Sequence, residues 1–309
     1  MRILIELPTW LGDAVMATPA IENLINHYDK SEIILIGSSL SIEIYKNHPR
    51  IYNTYLIKKK YISLLKISKK IGSFDIYFSF RSSFRAKFLK LFITSKRKFQ
   101  FNGKEYRNRH QVEKYNDFVN DSLEKNFYPD KLIIYPSLKH KSKKTKPLIG
   151  ISPGASYGNS KRWSPKEYAI AAAELSNKFD ILIFGDIRDI GIAKDIENFF
   201  NKMNVKNYQN LVGRTSIEEL IFHISTLDFF ITGDSGSMHI AAAHQVPTVA
   251  IFGPTNNKET SQWMNKKSTI VKKNLECQPC MKRNCPLKHN NCMKLIKAQD
   301  VLDALRHID

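Results

Sequence analysis

Short apolar runs alternate with amphipathic stretches along the first half of the chain. Parallel strands buried on both faces contain such runs, whereas apolar residues repeated every three or four positions are typical of helices. The pattern predicts strands at residues 2–7, 32–37, 51–57, 75–80 and 97–101. It predicts helices at residues 14–27, with a kink at Pro19, and at residues 41–46, 61–71 and 110–123.

The second half repeats this alternation after a charged segment, residues 139–147, that is typical of a domain linker. Ser164, Pro165 and Glu167 form an N-cap and capping-box signature. Further strands are predicted at residues 148–152, 181–184, 229–232 and 248–252, and helices at residues 165–177, 189–201, 216–225, 237–244 and 298–307. We therefore expect two Rossmann-like domains, residues 1–145 and 146–309, with a cleft between them. The sequence leaves open whether the C-terminal helix packs back onto the first domain.

A glycine-containing turn at residues 233–236 joins a predicted strand to a predicted helix. Such a turn lies at the carboxyl end of a parallel strand, where open α/β sheets bind ligands. Its glycines allow close approach, and the N–H groups that open a helix attract phosphate. Asp234 is better suited to accept hydrogen bonds from sugar hydroxyls. A plain turn with a helix cap explains the same residues, and a lone His239 is more often packed than catalytic.

Two other segments carry candidate chemistry. Asp13 follows the first strand at a predicted helix start, where it is either a helix N-terminal acid or a base at the mouth of the cleft. Lys161 and Arg162 precede Trp163 and a marked helix start. They form either a solvated loop or a source of positive charge for a departing diphosphate.

The net charge of +19, from 48 Lys and Arg against 29 Asp and Glu, favours an anionic partner. Residues 81–114 hold eleven basic residues against two Glu, with phenylalanines between them. A nucleic acid, an acidic membrane surface and a phosphorylated glycolipid all fit this charge, and a lysine-rich proteome explains part of it. No apolar stretch approaches a membrane span and the first residues lack a signal-peptide pattern, so a cytoplasmic location is expected.

The four cysteines, Cys277, Cys280, Cys285 and Cys292, lie close together near the end of the chain. A CxxC pair with two further cysteines is compatible with structural zinc or an iron–sulfur cluster. Zinc sites normally place a longer finger between cysteine pairs, and disulfides are rare in the cytoplasm. Reduced thiols in a compact loop are the alternative.

Six segments resemble, in order, the lipopolysaccharide heptosyltransferases of glycosyltransferase family 9, nearer the heptosyltransferase II type. They are GDAVMATPAI, SPGASYGNSKRW, FGD, NLVGRTSIEEL, GDSGSMHIAAA and IFGPT, at residues 12–21, 152–163, 184–186, 210–220, 233–243 and 251–255. The resemblance implies an α/β protein of the GT-B fold, two Rossmann-like domains facing across a cleft. It also implies metal-independent, inverting transfer of L-glycero-D-manno-heptose from ADP-heptose to the inner core of lipopolysaccharide.

The resemblance further assigns roles to individual residues. Asp13 matches the general base, and Lys161 matches a lysine that contacts the donor phosphates. The donor site is expected to include Ser156, Lys161, Asn210, Asp234, Ser235, Gly236, Met238 and His239. Asn210 falls where heptosyltransferase I enzymes place an acid that holds the ribose. The candidate acceptor residues are Gly12, Arg81, Arg85, Arg107 and Arg109.

The expected partners are ADP-heptose, Kdo-lipid A or heptosyl-Kdo-lipid A, and the anionic cytoplasmic face of the inner membrane. No cofactor and no catalytic metal are expected. A heptosyltransferase I, or another GT-B transferase using a different nucleotide sugar, is the alternative within enzymes. The alternative from another class is a nucleic-acid-binding protein, which the charge and cysteines favour but no recognisable nucleic-acid module supports.

Overall fold

The computed structural model describes residues 1–58, 60–137 and 146–308. The chain divides into two compact units, Met1–Pro136 and Ser137–Asp309. The boundary predicted after residue 145 falls on a segment, residues 138–145, that lies outside the described residues. Among the described residues, none of the helices combines the length and apolar character needed to cross a bilayer.

The first unit is built on a parallel five-stranded sheet with the order β3-β2-β1-β4-β5. The strands are β1 Arg2–Glu6, β2 Glu32–Gly37, β3 Ile51–Leu56, β4 Ser73–Ser79 and β5 Thr94–Gln100. The helices are α1 Leu11–Met16, α2 Thr18–His27, α3 Ser39–Ile44, α4 Tyr61–Ile71, α5 Phe84–Phe92 and α6 Gln111–Leu123. Strand order reverses between β1 and β4, so the loops that follow these two strands border the switch point of the sheet.

Helices cover both faces of this first sheet. Tyr77 packs in one core cluster with Leu64 of α4 and Leu89 of α5. Its neighbour Phe78 points to the opposite face, where its ring lies 6.1 Å from that of Phe118 in α6. Helices α4 and α5 therefore cover one face of the sheet, and α6 lies on the other.

One helix prediction in the first unit was wrong, and one helix was not predicted. The single kinked helix is instead two helices, α1 and α2, separated at Ala17, and Pro19 lies in the first turn of α2. Proline is tolerated there because its missing N–H has no partner in that turn. Helix α5 was not predicted, although Ser83 caps it by accepting the N–H of Ala86.

The second unit contains a parallel six-stranded sheet with the order β11-β10-β9-β6-β7-β8. The strands are β6 Leu148–Ser152, β7 Asp180–Ile183, β8 Tyr208–Asn210, β9 Phe229–Gly233, β10 Thr248–Ile251 and β11 Ser268–Val271. The helices are α7 Pro165–Leu175, α8 Ile190–Lys202, α9 Ile217–Ser225, α10 Gly236–Ala243, α11 Asn257–Thr260, α12 Asn291–Lys294 and α13 Ala298–Arg306. The outer strands β8 and β11 were not predicted.

The C-terminal helix α13 packs into the core of the second unit through Val301 and Leu305. Its start is tied to α7 by Glu167, whose Oε2 accepts the N–H of Ala298 at 2.8 Å. The capping-box prediction for α7 was therefore wrong, because Glu167 binds α13 and the Ser164 side chain makes no cap hydrogen bond.

Candidate functional site

The switch point of the second sheet lies between the adjacent strands β6 and β9. The loop after β6 carries Lys161, and the turn after β9 carries Asp234. Parallel strands end at the same edge of the sheet, so the two residues meet although 73 positions separate them. Ligands of open α/β sheets bind at this kind of crevice.

Lys161 and Asp234 form a nearly buried ion pair. The Nζ atom of Lys161 lies 2.5 Å from Oδ2 of Asp234, and the two side chains are 11% and 7% exposed. Thr255, in the loop after β10, donates its hydroxyl to the same Oδ2 at 2.6 Å. The sequence suggested that Asp234 serves sugar hydroxyls, but Oδ2 is occupied by protein partners and fixes the lysine ammonium in place.

Helix α10 begins immediately beside this ion pair. Its N-cap residue, Ser235, makes no side-chain cap hydrogen bond, and the first helical residue is Gly236. The side chain of Met238 is fully buried against Ala250 and Phe252. Met238 can therefore reach a ligand through its first-turn N–H but not through its thioether. His239 is also inside, at 2% exposure.

The loop that carries Lys161 is held by the cysteine-containing segment. Ser160 donates its hydroxyl to the carbonyls of Lys282 and Arg283 at 2.6 and 2.9 Å. Tyr157 donates to the carbonyl of Met281 at 2.7 Å, and its ring lies 4.7 Å from Nζ of Lys161. These contacts place an aromatic face and a rigid backbone under the lysine.

The four cysteines line one small pocket against this loop. All four are free thiols, and burial with the neighbouring thiols raises the pKa of Cys292 to about 11. Within the part of the chain that the structure describes, no group of three or more His, Cys, Asp or Glu side chains is arranged to hold a metal ion. The segment also donates to the loop after β10, from Gln278 to the carbonyl of Gly253 at 2.7 Å, so its contacts give it a structural role beside the Lys161 loop.

A second polar cluster lies where β7 ends. Arg188 donates to the hydroxyl of Ser156 at 3.1 Å and to Asp186 at 2.8 Å. The hydrogen bonds from the side chain and backbone of Arg188 to Asp186 lower the pKa of the Asp186 carboxyl. Arg188 was not predicted from the sequence, although it lies two residues after the matched FGD segment. The side-chain oxygen of Asn210 accepts the N–H of Val212 at 3.0 Å, so it closes a local turn.

Asp13 lies in the first turn of α1, the helix that follows β1, as predicted. The buried hydroxyl of Tyr115 in α6 hydrogen-bonds the Asp13 side chain, and burial together with Asp13 raises the pKa of Tyr115 well above its usual value. Gln111 hydrogen-bonds the same hydroxyl. Tyr45 fixes the helix by donating to the carbonyl of Ala14 at 3.0 Å. Gly12 precedes Asp13 in the same turn.

Arg81 follows β4 and pairs with Glu6 at the end of β1. Its Nη1 lies 3.0 Å from Oε1 of Glu6, a side chain with no exposed surface. Tyr77 and Ser79 each donate to Oε2 of Glu6 at 2.6 Å. This pairing accounts for Arg81 within the fold, and its binding of the acceptor stays a prediction.

The other acceptor candidates also have partners in the first unit. Arg85 donates to the carbonyl of Lys58, and burial together with Arg81 lowers its pKa. Arg107 donates to the carbonyl of Lys104 at 3.2 Å.

Arg109 pairs with Glu113 and Asp117 of α6 at 3.3 and 2.8 Å. The structure brings Arg81 and Arg85 together and places Arg107 and Arg109 in the loop before α6.

Comparison with known proteins identifies relatives over the whole length. The sequence profile of glycosyltransferase family 9 (heptosyltransferase) matches residues 75–291. Lipooligosaccharide heptosyltransferase 2 of Campylobacter jejuni serotype O:2 is 37% identical, over 100% of this chain and 98% of its own length. ADP-heptose lps heptosyltransferase II of E. coli has a similar structure, with a TM-score of 0.82 at 21% identity over 100% of this chain and 98% of that chain.

A further similar structure is E. coli heptosyltransferase WaaC with ADP-2-deoxy-2-fluoro heptose, at a TM-score of 0.77 and 13% identity over 100% of both chains. These similarities confirm the predicted α/β class and the GT-B fold. The profile match and the full-length identity decide the family. The chain belongs to glycosyltransferase family 9, the heptosyltransferases.

Proposed function

We propose that this protein is an inverting transferase that moves L-glycero-D-manno-heptose from ADP-heptose to the inner core of lipopolysaccharide, adding the second heptose. The observation that carries the proposal is the Lys161–Asp234 pair, which lies beside the start of α10 at the switch point of the second sheet. The Campylobacter relative, named a lipooligosaccharide heptosyltransferase 2, supports the choice of the second heptose.

The donor is held by its diphosphate. The Lys161 ammonium and the first N–H groups of α10 supply positive charge where the leaving ADP gains negative charge. Asp234 and Thr255 hold the ammonium in one position, so little reorganisation is needed during the reaction. Ser156, in the loop after β6, and Arg188, after β7, extend this site toward the nucleotide.

The acceptor hydroxyl is activated by Asp13. The carboxylate takes the hydroxyl proton, the oxygen forms a bond to the anomeric carbon, and the bond from that carbon to the ADP oxygen breaks with its electron pair. Attack opposite the leaving group inverts the anomeric centre. Tyr115 donates a hydrogen bond to Asp13 and thereby orients the carboxylate.

The acceptor is heptosyl-Kdo-lipid A, and the enzyme acts peripherally at the cytoplasmic face of the inner membrane. The basic residues of the first unit suit the Kdo carboxylates and phosphates of this acceptor, with Arg85 and Arg107 as the candidates. The net charge of +19 favours such an anionic surface.

A transfer assay tests the proposal. The purified protein is incubated with ADP-heptose and either Kdo2-lipid A or its mono-heptosylated form, and products are resolved by mass spectrometry. We expect one heptose to be added to the mono-heptosylated acceptor. Transfer to Kdo2-lipid A alone would instead make the enzyme a heptosyltransferase I, and transfer from a UDP- or GDP-sugar in place of ADP-heptose would overturn the donor assignment.

A further inference from the structure

Helices α4 and α5 present apolar side chains to solvent on the face opposite their buried side. In α5, Ala86 and Leu89 are buried, whereas Phe84 and Leu91 are 76% and 75% exposed. Phe84 and Leu91 are seven residues apart, so they lie on one stripe two turns apart. Because α5 already packs on the core through its other face, this exposed apolar stripe contributes nothing to the core.

Helix α4 continues this surface. Its buried residues include Leu64 and Ile71, while Ile62 is 67% exposed and Tyr61 is 46% exposed. The Tyr61 ring contacts that of Phe88 in α5, with centroids 5.1 Å apart. The exposed apolar residues of the two helices therefore form one surface, which we call the α4–α5 face. Patches of this kind mark interaction sites.

Basic residues surround the apolar side chains of the α4–α5 face. Neither helix contains an acidic residue, and together they carry six basic residues: Lys66, Lys69, Lys70, Arg85, Lys87 and Lys90. Between Lys58 and Lys104 the sequence has fourteen Lys and Arg residues and one acidic residue, Asp75. Asp75 is already paired with Lys96 at 2.6 Å. The face therefore combines exposed apolar groups with uncompensated positive charge.

We infer that the α4–α5 face binds the surface of an anionic lipid bilayer. Apolar side chains enter the interface between headgroups and acyl chains, and the lysines pair with lipid phosphates. The complementary charge favours a bilayer over a second copy of this chain, because two such faces would repel each other. The inference rests on the proposed function in that the acceptor is a membrane lipid, yet it requires no turnover.

Vesicle sedimentation tests this inference with the full chain and no donor. Wild-type protein is mixed with phosphatidylcholine vesicles and with mixed phosphatidylcholine–phosphatidylglycerol vesicles at low and high salt. The test variants are F84S/L91S and K66E/K69E. The matched controls are Y128S/L295S, which changes exposed apolar residues elsewhere, and K178E/K194E, which changes exposed lysines of the second unit. Melting temperature checks that each variant is folded.

We expect wild-type protein to bind the anionic vesicles, weakly at high salt, and both test variants to bind about tenfold less. Both controls should bind as wild type. Undiminished binding of F84S/L91S, or failure of wild-type protein to bind the anionic vesicles at low salt, overturns the inference. A wild-type dimer that F84S/L91S converts to a monomer would assign the face to self-association and also overturn it. Failure of heptose transfer by protein that still binds vesicles would count against the proposed function alone.

Discussion

The Nζ atom of Lys161 lies 2.5 Å from Oδ2 of Asp234, and both side chains are almost excluded from solvent. In such a setting each charge depends on the other, because an unpaired buried charge is costly. The pair therefore keeps a cation at the start of α10 before any donor binds.

Replacing Lys161 with Ala should lower kcat about 10²–10³-fold, the usual loss when one preorganised donor is removed from a developing negative charge. The nearby K166A variant changes an exposed lysine and should transfer heptose as wild type. Steady-state kinetics with ADP-heptose compares the two. Equal rates for K161A and K166A would remove Lys161 from the proposed mechanism.

Replacing Gly158 with Ala should weaken ADP binding by displacing the Lys161 loop. A Cβ atom at Gly158 would lie 2.4 Å from the carbonyl oxygen of Arg283, so the loop or the cysteine-containing segment must move. Gly191 in α8 is the matched control, since a Cβ there meets nothing within 4 Å. We expect calorimetry to give about tenfold weaker ADP binding for G158A and unchanged binding for G191A, with G191A about 0.5–1 kcal/mol more stable.

Removing the Tyr115 hydroxyl should shift the pH dependence of transfer. The raised pKa of Tyr115 keeps this hydroxyl protonated across the assay range, where it donates to the Asp13 carboxylate. Donation to the charged form lowers a carboxyl pKa, so Y115F should move the acidic limb of the kcat profile to higher pH. Y45F, which loses a buried hydroxyl bonded to the Ala14 carbonyl, is the control and should leave that limb in place. If the acidic limb of the kcat profile is the same in Y115F as in wild type, Tyr115 has a packing role only.

Replacing Arg81 with Met should destabilise the fold by about 3–5 kcal/mol, because Glu6 would remain buried without its cation. The double variant E6Q/R81M should recover much of this loss, since the buried group is then neutral. Urea unfolding measures both. If R81M is as stable as wild type, Arg81 is not needed to compensate Glu6, and the acceptor role suggested by the sequence would be favoured.

The sequence predicted the residues of the candidate site better than their partners. Asp13, Lys161 and Asp234 each follow an apolar strand run and lie in a matched segment, so their places were predictable from local pattern. The contact of Lys161 with Asp234 was not, because it depends on β6 and β9 being neighbours in the sheet. The order of strands in a sheet cannot be read from the spacing of apolar residues along the chain.

Other differences have the same origin. Glu167 has the spacing of a capping box, but its partner is Ala298, more than a hundred residues later. Met238 lies in a matched segment, but its side chain is in the core because it is on the face of α10 that packs against Ala250 and Phe252. Helix α5 was not predicted because its exposed face carries Phe84 and Leu91. Apolar residues on both faces obscure the amphipathic pattern by which a surface helix is usually recognised.

The most direct test of the central claim is heptose transfer by D13N with ADP-heptose and the mono-heptosylated acceptor. Asn keeps the size of the side chain but cannot take the hydroxyl proton, so kcat should fall about 10²–10⁴-fold. ADP affinity, measured by calorimetry on the same protein, should stay unchanged. Transfer by D13N at the wild-type rate would contradict the assignment of Asp13 as the base.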